Sequence, residues 1–151
     1  MGNREEKLSY MAGIVDGEGC ISCSFSNGEI PHINTYGIYL RIGMTSSIPL
    51  EPFIEEFGGK IKLSKRRTKT GKNVFFWAIY CRNAVKVLNI LIPYLRLKKD
   101  QAKDAIIMAN LHYKKGGVGN GNGGGWKNNT ITPEDIINRR AVFERMRERT
   151  K

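Results

Sequence analysis

Asp16 and Glu18 stand two residues apart at the end of an apolar stretch punctuated by glycine. Carboxylates are the ligands a hard divalent cation prefers, so the segment before them is the first place to look for chemistry. It reads as a helix: Asn3 can cap it, and Leu8, Met11, Ile14 and Val15 form an apolar stripe. Gly13 and Gly17 lie four apart beside Ala12, although glycine inside a helix costs roughly 1 kcal/mol against alanine. Small residues one turn apart allow another backbone to come very close. The two acids meanwhile fall where the helix dipole is already negative. These unfavourable choices predict a close helix–helix contact that delivers carboxylates to a metal. The plainer alternative is a core helix ending in a solvated acidic turn.

The elements that must position this corner follow in order. After Gly19 the period becomes two, with Ile21, Cys23 and Phe25 on one face and Ser22, Ser24 and Ser26 on the other. Asn27 and Gly28 mark a turn, and Pro31 and His32 a longer loop. A second strand over 36–45 places Ile38, Leu40, Ile42 and Met44 inside, with Tyr39 and Arg41 outside. A helix over 47–57 starts at Pro49 and stops at Gly58-Gly59. The strand 60–65 alternates Ile61 and Leu63 inside with Lys60, Lys62 and Ser64 outside, and a basic turn follows with Arg66, Arg67, Lys69 and Lys72. The strand 73–81 is apolar on both faces; Phe76, Ala78 and Tyr80 are expected inside. Helices follow over 83–91 and 98–113. The chain thus divides into a domain over 1–114, a glycine-rich linker over 115–130 and a basic C-terminal helix over 131–151. That helix starts at Thr132-Pro133-Glu134-Asp135, and its sequence leaves open whether it docks on the core, touches DNA backbone or does both.

Bulk properties narrow the partners. A chain of 151 residues suffices for one core, no apolar run is long enough to span a membrane, and the N-terminus lacks a signal-peptide core, so an intracellular protein is expected. A net charge of +11 favours a polyanion. Cys20 and Cys23 form a C-x-x-C, but on a strand they point to opposite faces, which disfavours a shared zinc ion. The outward set of serines, Tyr39, Arg41, Lys60, Lys62, Ser64 and Arg66 supplies donors and acceptors for base edges and cations for phosphates. Double-stranded DNA is the expected partner.

Met11-Ala12-Gly13-Ile14-Val15-Asp16-Gly17-Glu18-Gly19 resembles the signature of the LAGLIDADG homing endonucleases, and the element order over about 4–114 resembles their domain. The resemblance implies an α+β, αββαββα fold with a curved four-stranded antiparallel saddle packed on helices. It implies a site-specific DNA endonuclease, expected to be intron-encoded because the chain opens on methionine and lacks intein splicing residues. One copy of the signature implies a homodimer, with Met11, Ala12, Gly13, Asp16 and Gly17 at the interface. Magnesium (Mg2+) would be held by Glu18 and the Gly17 carbonyl, while Asp16 reads as structural. Lys98 falls where relatives keep a basic residue near the cut. Ser46 falls near the place where relatives often carry a glutamine that organises solvent, a departure that leaves the water-positioning residue open. An RNA maturase or a non-catalytic regulator on the same fold are the alternatives; the intact Glu18 speaks against the second.

Overall fold

The computed structural model describes residues 3–27, 34–113 and 132–149, without the side chains at 25–27, 34, 35, 112 and 113. The turn expected at Asn27-Gly28, the loop with Pro31 and His32, and the glycine-rich linker therefore lie outside it, as does the side chain of Ser26. Helix α1 (Arg4–Glu18) is capped by Asn3, whose side chain accepts from the Glu5 N–H, and buries Leu8, Met11, Ala12 and Val15. It runs into strand β1 (Gly19–Asn27) with no loop between. Gly19 makes that corner possible: a Cβ there would sit 2.6 Å from the Val15 carbonyl oxygen.

β1 pairs antiparallel with β2 (Asn34–Met44), β2 with β4 (Phe75–Tyr80), and β4 with β3 (Lys62–Leu63), giving the order β1-β2-β4-β3. Between β2 and β3 come a 3-10 turn (Ile48–Leu50) and helix α2 (Glu51–Phe57). Helices α3 (Cys81–Leu91) and α4 (Lys99–Tyr113) follow, then α5 (Pro133–Arg149). One face of the sheet is covered by helices and carries Ile21, Cys23, Ile38, Leu40 and Ile42, all buried. The opposite face is open.

The fourth strand corrects the expectation for its register. Trp77 is fully buried, with Phe75 and Ile79 packed on the core beside it, whereas Phe76, Ala78 and Tyr80 belong to the open face, Tyr80 being 58% exposed. A strand apolar on both sides carries no alternation to decide this; the partner strand does. Arg41 pairs with Ala78, so the two share a face, and Ile42 pairs with Trp77 in the core. The indole then fills the space beneath α2, 5.1 Å from the Phe53 ring, and donates to the Gly58 carbonyl at 2.9 Å. Gly59, with φ of +92°, stays bare because a Cβ would meet the indole nitrogen at 2.9 Å.

The third strand is also shorter than expected. Leu63 does lie on the helix side, opposite Phe75, but on this edge strand it is 57% exposed. Helix α5 docks on α4. Val142 and Met146 are buried, Arg145 bonds Asp104 through two nitrogens at 2.9 and 2.7 Å, and Arg149 lies 3.2 Å from the other oxygen of that carboxylate. Buried Arg139 donates to the Leu111 carbonyl at 2.8 Å.

Candidate nuclease centre and nucleic-acid face

Glu18 is the last residue of α1, held at the corner between helix and sheet by the extended backbone of Gly19. Gly19 pairs with Ile42, so the corner lies beside the end of β2. There a cavity of about 350 Å³ is lined by Glu18, Gly43, Met44, Thr45, Thr68 and Val74. Glu18 is exposed, and among the described residues its carboxylate takes no hydrogen bond or ion pair.

Its neighbours are engaged differently. Asp16 accepts from the backbone N–H groups of Arg96 at 2.8 Å and Lys98 at 2.9 Å, tying the segment before α4 to the end of α1. Burial works against its ionisation, but those N–H groups outweigh burial and hold the carboxyl below its ordinary value. The Lys98 ammonium donates to the carbonyls of Val15 at 3.0 Å and Asp16 at 2.9 Å. A cation thus caps the end of α1, where the dipole and two acids concentrate negative charge. Of its three donors, two are used here.

Ser46 does not line the cavity. Its hydroxyl accepts from the Ile48 N–H at 3.3 Å and serves the 3-10 turn instead. The hydroxyl residues that do reach the cavity wall are Thr45 and Thr68, neither of which the sequence pattern singles out. Thr45 could have been noticed as the residue that ends the strand expected over 36–45. Thr68 could not: it arrives because the basic turn folds back, its hydroxyl accepting from the Lys72 N–H at 2.9 Å.

The proposed interface residues separate into two groups. Met11 and Ala12 have no accessible surface, being part of the chain's own core, so they offer nothing to a partner. Gly13 and Gly17 are exposed, and a Cβ added at either would meet nothing within 4 Å. Nothing in the described part of the chain explains why these positions are small. Asp16 is half-buried and engaged as described above.

The open face gathers most of the outward residues the sequence pointed to. Ser22 pairs with Tyr39 and Ser24 with Gly37, placing these residues beside one another, and Lys62 lies opposite Phe76. The Ser24 hydroxyl donates to the Gly37 carbonyl at 3.0 Å. Tyr39 and Tyr80 lie with ring centroids 6.3 Å apart. Lys60 precedes β3, and Ser64 accepts from the Arg66 N–H at the start of the basic turn. Arg66, Arg67, Lys69 and Lys72 are exposed. Cys20 is exposed on this face while Cys23 is buried on the other, its thiol pushed up to about 12 chiefly by burial. Among the described residues no three His, Cys, Asp or Glu side chains cluster to hold a metal.

A helix-backed, antiparallel αββαββα sheet with an acidic corner beside an open, basic face defines a class of nucleic-acid-processing domain. The chain belongs to the LAGLIDADG endonuclease family, whose profile matches residues 11–103. Among curated proteins none matches in sequence. Solved structures share the fold at low identity. An archaeal intron-encoded homing endonuclease, I-Vdi141I, complexed with DNA, matches with a TM-score of 0.73 at 15% identity, over 99% of this chain and 87% of its own. The homing endonuclease I-CvuI, in complex with the I-CreI target, matches at 0.67 and 20% identity, over 96% and 82%. The group I intron-encoded I-CeuI, complexed with DNA, matches at 0.64 and 12%, over 95% and 67%.

Proposed function

We propose that this chain is a site-specific homing endonuclease that hydrolyses both strands of a DNA duplex, working as a homodimer with a divalent metal. The observation that carries the reading is Glu18: an exposed carboxylate, without a partner among the described residues, fixed at the corner where α1 meets the open, cation-bearing face of the sheet. The family supplies the reaction class, and the three DNA complexes above support duplex DNA as the partner.

The exposed stripe of Gly13 and Gly17 suits the close approach of a second copy's α1. Such packing brings two Glu18 carboxylates together, a repulsion that a cation relieves. The donors fit magnesium: a carboxylate and the Gly17 carbonyl are both hard oxygen ligands, and Glu18 and Gly17 of each chain would hold the ion together with the DNA phosphate. Bound there, the ion would lower the pKa of an attacking water and offset charge on the scissile phosphate. I-CvuI complexes with DNA formed in the presence of 2 mM Mg, with the DNA not cleaved, and of 2 mM Ca support a divalent cation as a companion of such complexes. Lys98 offsets the charge of the acidic corner and keeps one N–H for the phosphate. Arg66, Arg67, Lys69 and Lys72 meet backbone phosphates, and the sheet face reads bases.

The test uses duplex fragments of the gene surrounding the reading frame, joined without the insertion. Magnesium-dependent cleavage is expected, and Glu18→Gln should lower it by at least about 100-fold while leaving binding in place. Full cutting by that variant would refute the role given to Glu18.

A further inference from the structure

On the open face the Arg41 guanidinium carbon lies 4.2 Å above the centroid of the Phe76 ring. The two are not direct cross-strand partners. Arg41 pairs with Ala78 and Gly43 with Phe76, so ring and cation meet on the diagonal. That diagonal is open because Gly43 has no side chain opposite the ring. The direct cross-strand partners of Arg41 are small, Cys20 on β1 and Ala78 on β4, while the Tyr39–Tyr80 pair stands two residues away on the side opposite Phe76. Among the described residues Arg41 makes no hydrogen bond or ion pair. The ring thus holds the guanidinium carbon, and among the described residues none of the guanidinium donors is used.

Resting on the reading of this face as a DNA-binding surface, we infer that Arg41 is a preset reader of one guanine in each half-site, with Phe76 as its positioning residue. Guanine is the base whose major-groove edge presents two acceptors, O6 and N7, at the spacing of a planar fork of N–H donors. A phosphate contact would need only charge, which the exposed lysines already supply. An arginine stacked by cation–π attraction loses less side-chain freedom on docking than a free one. Register also places the base. Gly43, in the cavity beside Glu18, lies two residues along β2 from Arg41. At about 3.3 Å per residue against roughly 3.4 Å per base pair, the guanine lies about two base pairs from the phosphate at Glu18.

The experiment is selection of bound duplexes from a randomised pool by the wild type and by Arg41→Ala, Arg41→Lys, Phe76→Leu and Phe76→Tyr. The wild type is expected to enrich a site with one G·C pair per half at that position. Arg41→Ala should reduce preference for that pair by about tenfold to a hundredfold. Arg41→Lys should lose the same preference while retaining affinity for random DNA, since it keeps the charge without the fork. Phe76→Leu should weaken preference at the same pair by about threefold to tenfold, and Phe76→Tyr, which keeps the ring, should restore it. If Arg41→Ala keeps the preference, or Phe76→Leu acts evenly across the site or not at all, the inference is overturned while the nuclease reading stands. A wild-type protein that enriches no sequence would sink both.

Discussion

At the scale of single residues, the acidic corner works because its two carboxylates have different surroundings. Asp16 is tied to backbone N–H groups of a segment some eighty positions away, and Glu18 takes no partner among the described residues. Asp16→Ala leaves the Arg96 and Lys98 N–H groups without their acceptor and should lower stability by about 1–3 kcal/mol at neutral pH. Because the folded carboxyl titrates below its unfolded value, this contribution is present above about pH 4 and is lost as the pH falls through the folded pKa. Denaturant melts at pH 7 and pH 3 should therefore show the gap between wild type and variant closing in acid. A gap that persists unchanged would mean that Asp16 acts through packing, with its charge irrelevant.

At the scale of elements, α1 has one face owned by the core and a glycine stripe that no described residue covers. Leu8, Met11, Ala12 and Val15 face inward, while Gly13 and Gly17 face out with open space around them. Opposite effects on stability and association follow. Gly13→Ala should leave the monomer as stable or up to about 1 kcal/mol more stable, because alanine is the better helix former and meets no neighbour. The same methyl groups, facing each other across a twofold seam, should weaken dimerisation at least about tenfold. Thermal melting and sedimentation together read the two effects. A dimer unaffected by the change would place the seam elsewhere.

At the scale of the whole molecule, the cations divide by position. Arg145 and Arg149 of α5 are engaged with Asp104, so they brace the fold, whereas the turn after β3 presents Arg66, Arg67, Lys69 and Lys72 to solvent. Replacing Arg66 and Arg67 by alanine should weaken DNA binding evenly across sequences and lower the slope of log affinity against log salt by about 1 for each phosphate left unneutralised. Titrations at several salt concentrations measure this. A loss confined to one base pair would instead make these residues base readers.

The nine-residue signature and the alternation of β1 and β2 were legible in the chain because both depend on local periodicity. The cap at Asn3, the stop at Gly58 and the split between buried and outward residues on the first two strands followed from the same source. Where periodicity was silent, pairing decided. β4 is apolar on both sides, and only its register against β2 turned Trp77 inward and put Phe76 over the open face, within reach of Arg41. Thr68 enters the cavity, and Ser46 does not, through the folding-back of one turn and the local bonding of another. By composition the basic helix α5 could dock on the core, touch DNA backbone or do both; burial of Val142 and Met146 and the hold of Asp104 set it against α4. Composition and spacing determined which residues could do the chemistry, because those are properties of neighbours along the chain. Which of them stand together was decided by strand pairing and helix docking, interactions between residues far apart in sequence.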